Sequence, residues 1–215
     1  MDSLNIDKDK IETLYETRFL NMYDLRYAEG RHYFEATRRN KDTLVALKKE
    51  NEIKSMLPDA VTLAIVLHLP ESEPLLLLFY EYRYPVAHYM LSPVAGLIDE
   101  EDLSQEDPLR SAAIREIKEE TGLTFGHGDT LEIINPCAFS SPGMTDESNA
   151  FLCAHIYKEN TDELSHDGAV GGEKFSDFVL LNKEQALKIF KTGRDENGHF
   201  YSLSTWAVLS YFILE

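Results

Sequence analysis

The stretch PLRSAAIREIKEETGL, residues 108–123, constrains the fold more than any other part of the chain. Asp107 stands before a proline at the first helical position and Gly122 follows the last one, so start and stop signals enclose a helix from Pro108 to Thr121. Leu109, Ala113 and Ile117, with Ala112 at the edge, form an apolar stripe that needs a sheet to cover it. Glu116 and Glu120 are one turn apart, and Glu119 lies beside them. Arg115 precedes Glu119 by four residues, the spacing of an ion pair that would hold Glu119 in position. Three carboxylates on one helical face are either a solvated surface or, held against a sheet at a cleft, an oxygen-rich site. Such a site suits a hard cation, Mg²⁺ or Mn²⁺.

The surrounding sequence supplies the sheet. Ala60–Leu69 and Leu75–Tyr82 are apolar runs separated by a Pro-rich turn, and Leu131–Phe139, Asn149–Tyr157 and Phe175–Leu181 read as further strands. Helices are predicted over Lys183–Lys191, ending at Gly193, and over Leu203–Leu214, while residues 93–107 and 159–174 read as loops. Strands and helices mix without a regular βαβ alternation, which argues an α+β fold with a mixed-sheet sandwich. Upstream, the alternation from Thr13 to Tyr27 predicts one half-buried strand, Ala28-Glu29-Gly30 a turn, and His32–Thr37 a returning strand. Residues 1–57 are therefore expected to form a small β-rich subdomain, and 58–215 the main domain.

Charge narrows the function classes. The 215 residues carry 21 Lys and Arg against 38 Asp and Glu, a net charge of −17, which repels nucleic-acid backbones and anionic membrane surfaces. No apolar stretch of ~18 residues is present, and the opening MDSLNIDKDKIE lacks the basic-then-apolar pattern of a secretory signal. Two cysteines, Cys137 and Cys153, give neither a disulfide framework nor a metal motif by their spacing. The expectation is a soluble, cytoplasmic protein with no nucleic-acid or membrane partner.

Arg115-Glu116-Ile117-Lys118-Glu119-Glu120-Thr121-Gly122-Leu123 resembles the second half of the signature of the Nudix hydrolases. That signature runs as a glycine, five residues, a glutamate, seven residues, then R-E-U-x-E-E-x-G-U with U aliphatic. The first half departs: Gly96 lies eleven residues before Asp107, which, or Glu106 with a slip of one, takes the place of the glutamate. The resemblance implies a Nudix-type α/β/α sandwich that hydrolyses a nucleoside diphosphate linked to another group, through divalent metal. It implies Glu116 and Glu120 as the main metal ligands, Glu119 as a third ligand or holder of a bridging water, and Arg115 as its orienting partner. The carbonyl of Ala95, in Pro93-Val94-Ala95-Gly96, is implied as a further ligand.

Three more stretches are similar to the ADP-ribose pyrophosphatase branch. Glu81-Tyr82-Arg83-Tyr84-Pro85 offers Arg83 as a phosphate holder, with Glu81 where glutamine is usual. Ser141-Pro142-Gly143-Met144-Thr145-Asp146-Glu147 is similar to a turn that approaches the ligand, with Glu147 near metal or ribose. Gly168-Ala169-Val170-Gly171-Gly172-Glu173 is a flexible loop whose Glu173, with Asp167 in reserve, takes the proton from the attacking water. Ser92 stands where relatives often carry a glutamate. The branch also implies a homodimer, with Tyr27 or another of the N-terminal aromatics stacking the base and Arg38 or Arg39 reaching a phosphate.

The expected reaction is hydrolysis of ADP-ribose or a similar nucleoside diphosphate sugar to AMP and a sugar phosphate. A GDP-mannose-type nucleotide-sugar hydrolase is the enzymatic alternative. A non-catalytic nucleotide-sugar sensor, or an interaction domain with a solvated acidic helix, are the alternatives of other classes.

Overall fold

The computed structural model describes residues 6–169 and 172–215. Val170 and Gly171 of the glycine-rich loop, and residues 1–5 of the expected N-terminal subdomain, lie outside the described residues. The chain divides into two units: residues 1–59 with 137–149, and residues 60–136 with 150–215.

The first unit contains a three-stranded antiparallel sheet, β1 (Ile11–Tyr15), β2 (Asn21–Ala28) and β3 (Arg31–Thr37). Ile11 lies opposite Leu25, and Leu25 opposite Tyr33. The single strand expected over Thr13–Tyr27 is instead two, because Thr17 builds a turn between them. Its hydroxyl donates to the Leu20 carbonyl at 2.6 Å and accepts from the Phe19 and Leu20 amides at 3.2 and 2.9 Å. Local side-chain bonding of this kind competes with a strand ladder. The alternation survives only at Tyr23 and Leu25, which pack with Ile11 and Leu44 into a small core, while Tyr15, Phe19 and Tyr27 are exposed. Gly30 closes the β2–β3 turn at φ 62°, in the left-handed region that glycine adopts without penalty. After β3 comes a short helix, α1 (Glu50–Lys54).

The second unit is built on a seven-stranded mixed sheet, residues 137–139 and 148–149 of two of its strands being counted with the first unit. Its strands are β4 (Ala60–His68), β5 (Leu75–Arg83), β6 (His88–Ser92), β7 (Val94–Leu97), β8 (Thr130–Phe139), β9 (Ser148–Tyr157) and β10 (Phe175–Leu181). The central order is β10-β5-β4-β9-β8, with β6 also on β5 and β7 also on β4. The region expected as a loop over 93–107 thus holds β7 and a four-residue helix, α2 (Glu100–Leu103). Elements this short carry too little periodicity to read from sequence.

Both faces of the sheet are covered, which is why β4 and β5 read as unbroken apolar runs. Along β4, Val61, Leu63, Ile65 and Leu67 face helix α3 (Pro108–Thr121), packing with its Leu109, Ala112, Ala113 and Ile117. Ala64 and Val66 face the other way, toward α4 (Lys183–Thr192) and α5 (Leu203–Leu214), against Ile189, Val208, Leu209 and Phe212. The result is helix, sheet, helix: the expected α+β sandwich. Helix α3 begins and ends where its sequence signals place it. The Asp107 carboxylate accepts from the Arg110 amide at 3.1 Å, and Gly122 at φ 74° donates to the Lys118 carbonyl at 3.0 Å.

Candidate active site

Strand β7 and helix α3 meet residue by residue. The Ala95 amide donates to Glu120 Oε2 at 3.2 Å. Gly96 comes next, and a Cβ there would overlap the Glu116 carboxylate, so the glycine makes room for that side chain. The Leu97 carbonyl then accepts from Arg115 at 2.8 Å. Three consecutive β7 residues therefore set Glu120, Glu116 and Arg115 in place. β7 itself is held on β4 by pairing Thr62 with Ala95 and Val61 with Gly96.

Burial separates this arrangement from a solvated charged face. Glu116 and Glu120 are 7% and 3% exposed. Burial first, and then neighbouring carboxylates, push Glu116 up to about 7 despite Arg115. Glu120 is driven well above the usual carboxylate range by burial and by the Glu116 charge. Glu119 stays half-exposed and accepts from Arg115 Nη1 at 3.1 Å, the i, i+4 pair read from the spacing. The same nitrogen reaches Glu116 Oε1 at 2.7 Å.

The acid that anchors Arg115 is Asp102. Its Oδ2 accepts from Arg115 Nη2 at 2.9 Å and Nε at 3.3 Å, and its Oδ1 accepts from Ser111 at 2.7 Å. Asp102, 2% exposed, lies six residues after Gly96, the spacing of the signature glutamate. The assignment of that role to Asp107 or Glu106 is thereby corrected: Asp107 is an exposed helix cap, and the extra residues of the loop fall between Asp102 and the helix. Counting forward from Gly96, instead of backward from the helix, finds Asp102 in the sequence.

Glu81, noted above only as a departure, belongs to this cluster. It lies two residues before the end of β5 with its side chain 12% exposed, pairs with Arg83 Nη2 at 2.6 Å and hydrogen-bonds the Ser92 hydroxyl. Burial pushes it up, Arg83 lowers it, and the Glu173 charge raises it again. A carboxylate is missing at Ser92 and present at Glu81, which that serine hydrogen-bonds. Glu173 is exposed, yet its charge also raises Glu116 and Glu120, so it stands within electrostatic reach of the buried acids. The loop leading to it is docked by Gly168, whose missing Cβ would come within 2.7 Å of the Glu119 carbonyl. His166, in the same loop, bridges the Glu120 and Ser176 carbonyls at 2.6 and 2.8 Å. Asp167 is exposed.

The donor set is carboxylate oxygen throughout, crowded beyond what one guanidinium neutralises. That chemistry fits a hard cation such as Mg²⁺ or Mn²⁺, which Glu116 and Glu120, with Glu119 beside them, could hold.

The remaining sequence-predicted residues lie in the first unit. Arg39 is committed to ion pairs with Asp59 Oδ1 at 2.5 Å and Asp146 Oδ1 at 3.2 Å. Arg38 pairs with Glu147 at 3.0 Å, and the Gly143 carbonyl accepts from Tyr33 at 2.9 Å. Pro142 lines a cavity of about 240 Å³ with Leu25, Tyr33, Met144 and Glu35. Glu35, 6% exposed, is pushed up to about 7 by burial and by Asp146, and its Oε2 has no hydrogen-bond partner among the described residues. Tyr27 is exposed on β2. Sequence reasoning missed Glu35, since nothing in its neighbourhood marks a glutamate on that strand as buried.

No protein-family model matches the chain. It is 31% identical over 122 residues to a Caenorhabditis elegans protein named "Putative nudix hydrolase 2", a stretch covering 57% of this chain and 51% of that protein. The chain thus spans about half the length of the curated relative it matches. Among the described residues, no helix is long and apolar enough to cross a membrane.

Proposed function

We propose that this protein is a Nudix-type pyrophosphohydrolase, cleaving a nucleoside diphosphate linked to a sugar, with ADP-ribose as the first candidate substrate. The observation that carries the reading is the burial of Glu116 and Glu120 side by side on Ala95 and Gly96, with Arg115 shared among Asp102, Glu116 and Glu119. The similarity to the nematode protein supports the same reading. When bound, a divalent ion screens the diphosphate and lowers the pKa of a coordinated water.

The chain's own residues do the rest. Glu116, Glu120 and the Ala95 carbonyl hold the ion, and Glu119, steadied by Arg115, adds a ligand or orients the water. Asp102 fixes Arg115 by two hydrogen bonds, so its position does not depend on the state of the glutamates. Arg83, released from Glu81 or shared with it, offers a planar pair of donors to a phosphate. Glu81 adds a carboxylate beside Glu120, and Glu173 removes the water's proton. By the resemblance alone, Tyr27, Pro142, Gly143 and Glu147 are assigned to substrate binding, as is Arg39, which would have to leave its pairs with Asp59 and Asp146 to take part; a homodimer has the same warrant.

The test is a product analysis with ADP-ribose, GDP-mannose, NADH and diadenosine polyphosphates, each with and without Mg²⁺. AMP and ribose phosphate formed only with metal, and abolished in Glu120→Gln, is the expected result. Turnover unchanged in Glu120→Gln would refute the site; preference for GDP-mannose would move the substrate to the alternative.

A further inference from the structure

We propose a second metal site, for Zn²⁺, on the opposite face of the sheet from the acidic cluster. The period of two along the strands puts its residues together. On β9, Ala150, Leu152, Ala154 and Ile156 face α3, so Cys153 and His155 face α5. Glu132 and His68 sit on that same side of β8 and β4, one residue from Leu131 and Leu67, which face α3. Glu215 follows the end of α5 and brings a further carboxylate.

The ligand atoms of Glu132, Cys153 and His155 all lie within 4.8 Å of one another. Cys153 Sγ is 3.6 Å from His155 Nε2, and that nitrogen is 3.0 Å from Glu215 Oε1. Zinc bonds of about 2.3 Å to sulfur and 2.0–2.1 Å to nitrogen, at the tetrahedral angle, put those two atoms about 3.6 Å apart. The thiol, imidazole and carboxylate are therefore already at ligand spacing.

Outer contacts orient His155 and Glu132. His155 Nδ1 is 2.9 Å from His68 Nε2, and His68 stacks on Tyr157 at 4.5 Å. A proton on Nδ1 leaves the Nε2 lone pair facing Cys153 and Glu215, the tautomer a metal requires. The Tyr211 hydroxyl donates to Glu132. Sulfur, nitrogen and oxygen ligands together select zinc over magnesium; Glu132, Cys153 and His155 supply three, and Glu215, 3.0 Å from His155 Nε2, is placed to move in as the fourth of a structural site. Binding exchanges the Cys153 thiol proton, released to solvent, for the ion, and ties the end of α5 to β8 and β9.

The experiment uses Co²⁺ as a spectroscopic stand-in, titrated into metal-stripped protein under excess Mg²⁺. The expected result is a thiolate-to-cobalt charge-transfer band with intense visible tetrahedral absorption, saturating at one equivalent and bleached by Zn²⁺. The band should persist in Cys137→Ser and disappear in Cys153→Ser. Should Cys153→Ser not fold, His155→Gln, on a partly exposed side chain, must lose the tetrahedral absorption. His68→Phe should weaken Zn²⁺ binding by about 10–100-fold, as loss of an outer hydrogen bond does. Folded wild-type protein without the band at one equivalent, or a band that survives Cys153→Ser, overturns the proposal and leaves His155–Glu215 as a polar contact. Glu120→Gln leaves the band intact, so failure here and failure of the hydrolase reading are separate results.

Discussion

Replacing Glu116 by Gln should make the metal-free protein more stable at neutral pH while removing its response to Mg²⁺. The carboxyl loses its proton near 4.5 in an unfolded chain but only near 7 in the folded one. Between those values the folded state binds more protons, so stability is fully present below about 4.5 and falls as pH rises through about 7. At about 1.4 kcal/mol per pH unit, this one group costs about 3 kcal/mol above that window. Glutamine keeps an oxygen for Arg115 Nη1, which Glu116 engages at 2.7 Å, but carries no charge at any pH. It also relieves Glu120, which the Glu116 charge raises. Urea unfolding in EDTA from pH 4.5 to 8.5 measures both chains. Wild type should lose about 3 kcal/mol more than Glu116→Gln across the range and recover on adding Mg²⁺, by about 2.7 kcal/mol at a hundred times Kd. Parallel pH curves for the two proteins would refute the claim that buried like charges are crowded here.

Three further outcomes are expected. Gly96→Ala places a methyl group on the Glu116 carboxylate, so it should abolish Mg²⁺ binding measured by calorimetry while far-UV circular dichroism is retained. Asp102→Ala removes one of Arg115's two buried partners, leaving Glu116, and should cost about 1.5–3 kcal/mol in urea unfolding, more than Asp107→Ala at an exposed cap. Glu173→Gln should lower turnover by ~10²–10⁴ with Mg²⁺ affinity nearly unchanged; a loss below about tenfold assigns the proton transfer to another group.

Legibility in the sequence followed the range of the interactions. Helix α3 was readable to its ends because Asp107, Pro108 and Gly122 act within one turn. β4, β5 and β10 were readable because burial on both faces or alternation runs over seven or more residues. β7, four residues long, was not, although it carries Ala95 and Gly96. The strand break at Thr17 was hidden because its hydroxyl bonds imitate nothing in the hydrophobic pattern. The glutamates of the site were visible as a helical spacing, but Asp102 and Glu81 join them through tertiary pairing, and no periodicity announces it. Cys153 illustrates the same limit: its distance from Cys137 says nothing, whereas its neighbours His155 and Glu132 come from strand alternation and sheet order.

The sequence left one choice open, between a solvated acidic face and an ion site, and burial favours the second. A solvated face would keep its carboxylates in water, where repulsion is screened and costs little. Here Glu116 and Glu120 are withdrawn from solvent. Among the described residues no basic side chain pairs with Glu120, whose recorded partner is the Ala95 amide. Arg115 cannot make up the difference, because Asp102, Glu116 and Glu119 already share it. Two acids raised together by burial destabilise the metal-free fold, a cost that a bound cation would offset. Hydrophobic replacements at the same positions would pack the α3–β7 contact at lower cost. The arrangement is therefore better explained by an ion it could hold than by the stability it confers, and under the proposed function a chain at −17 overall would need such an ion before a diphosphate could approach.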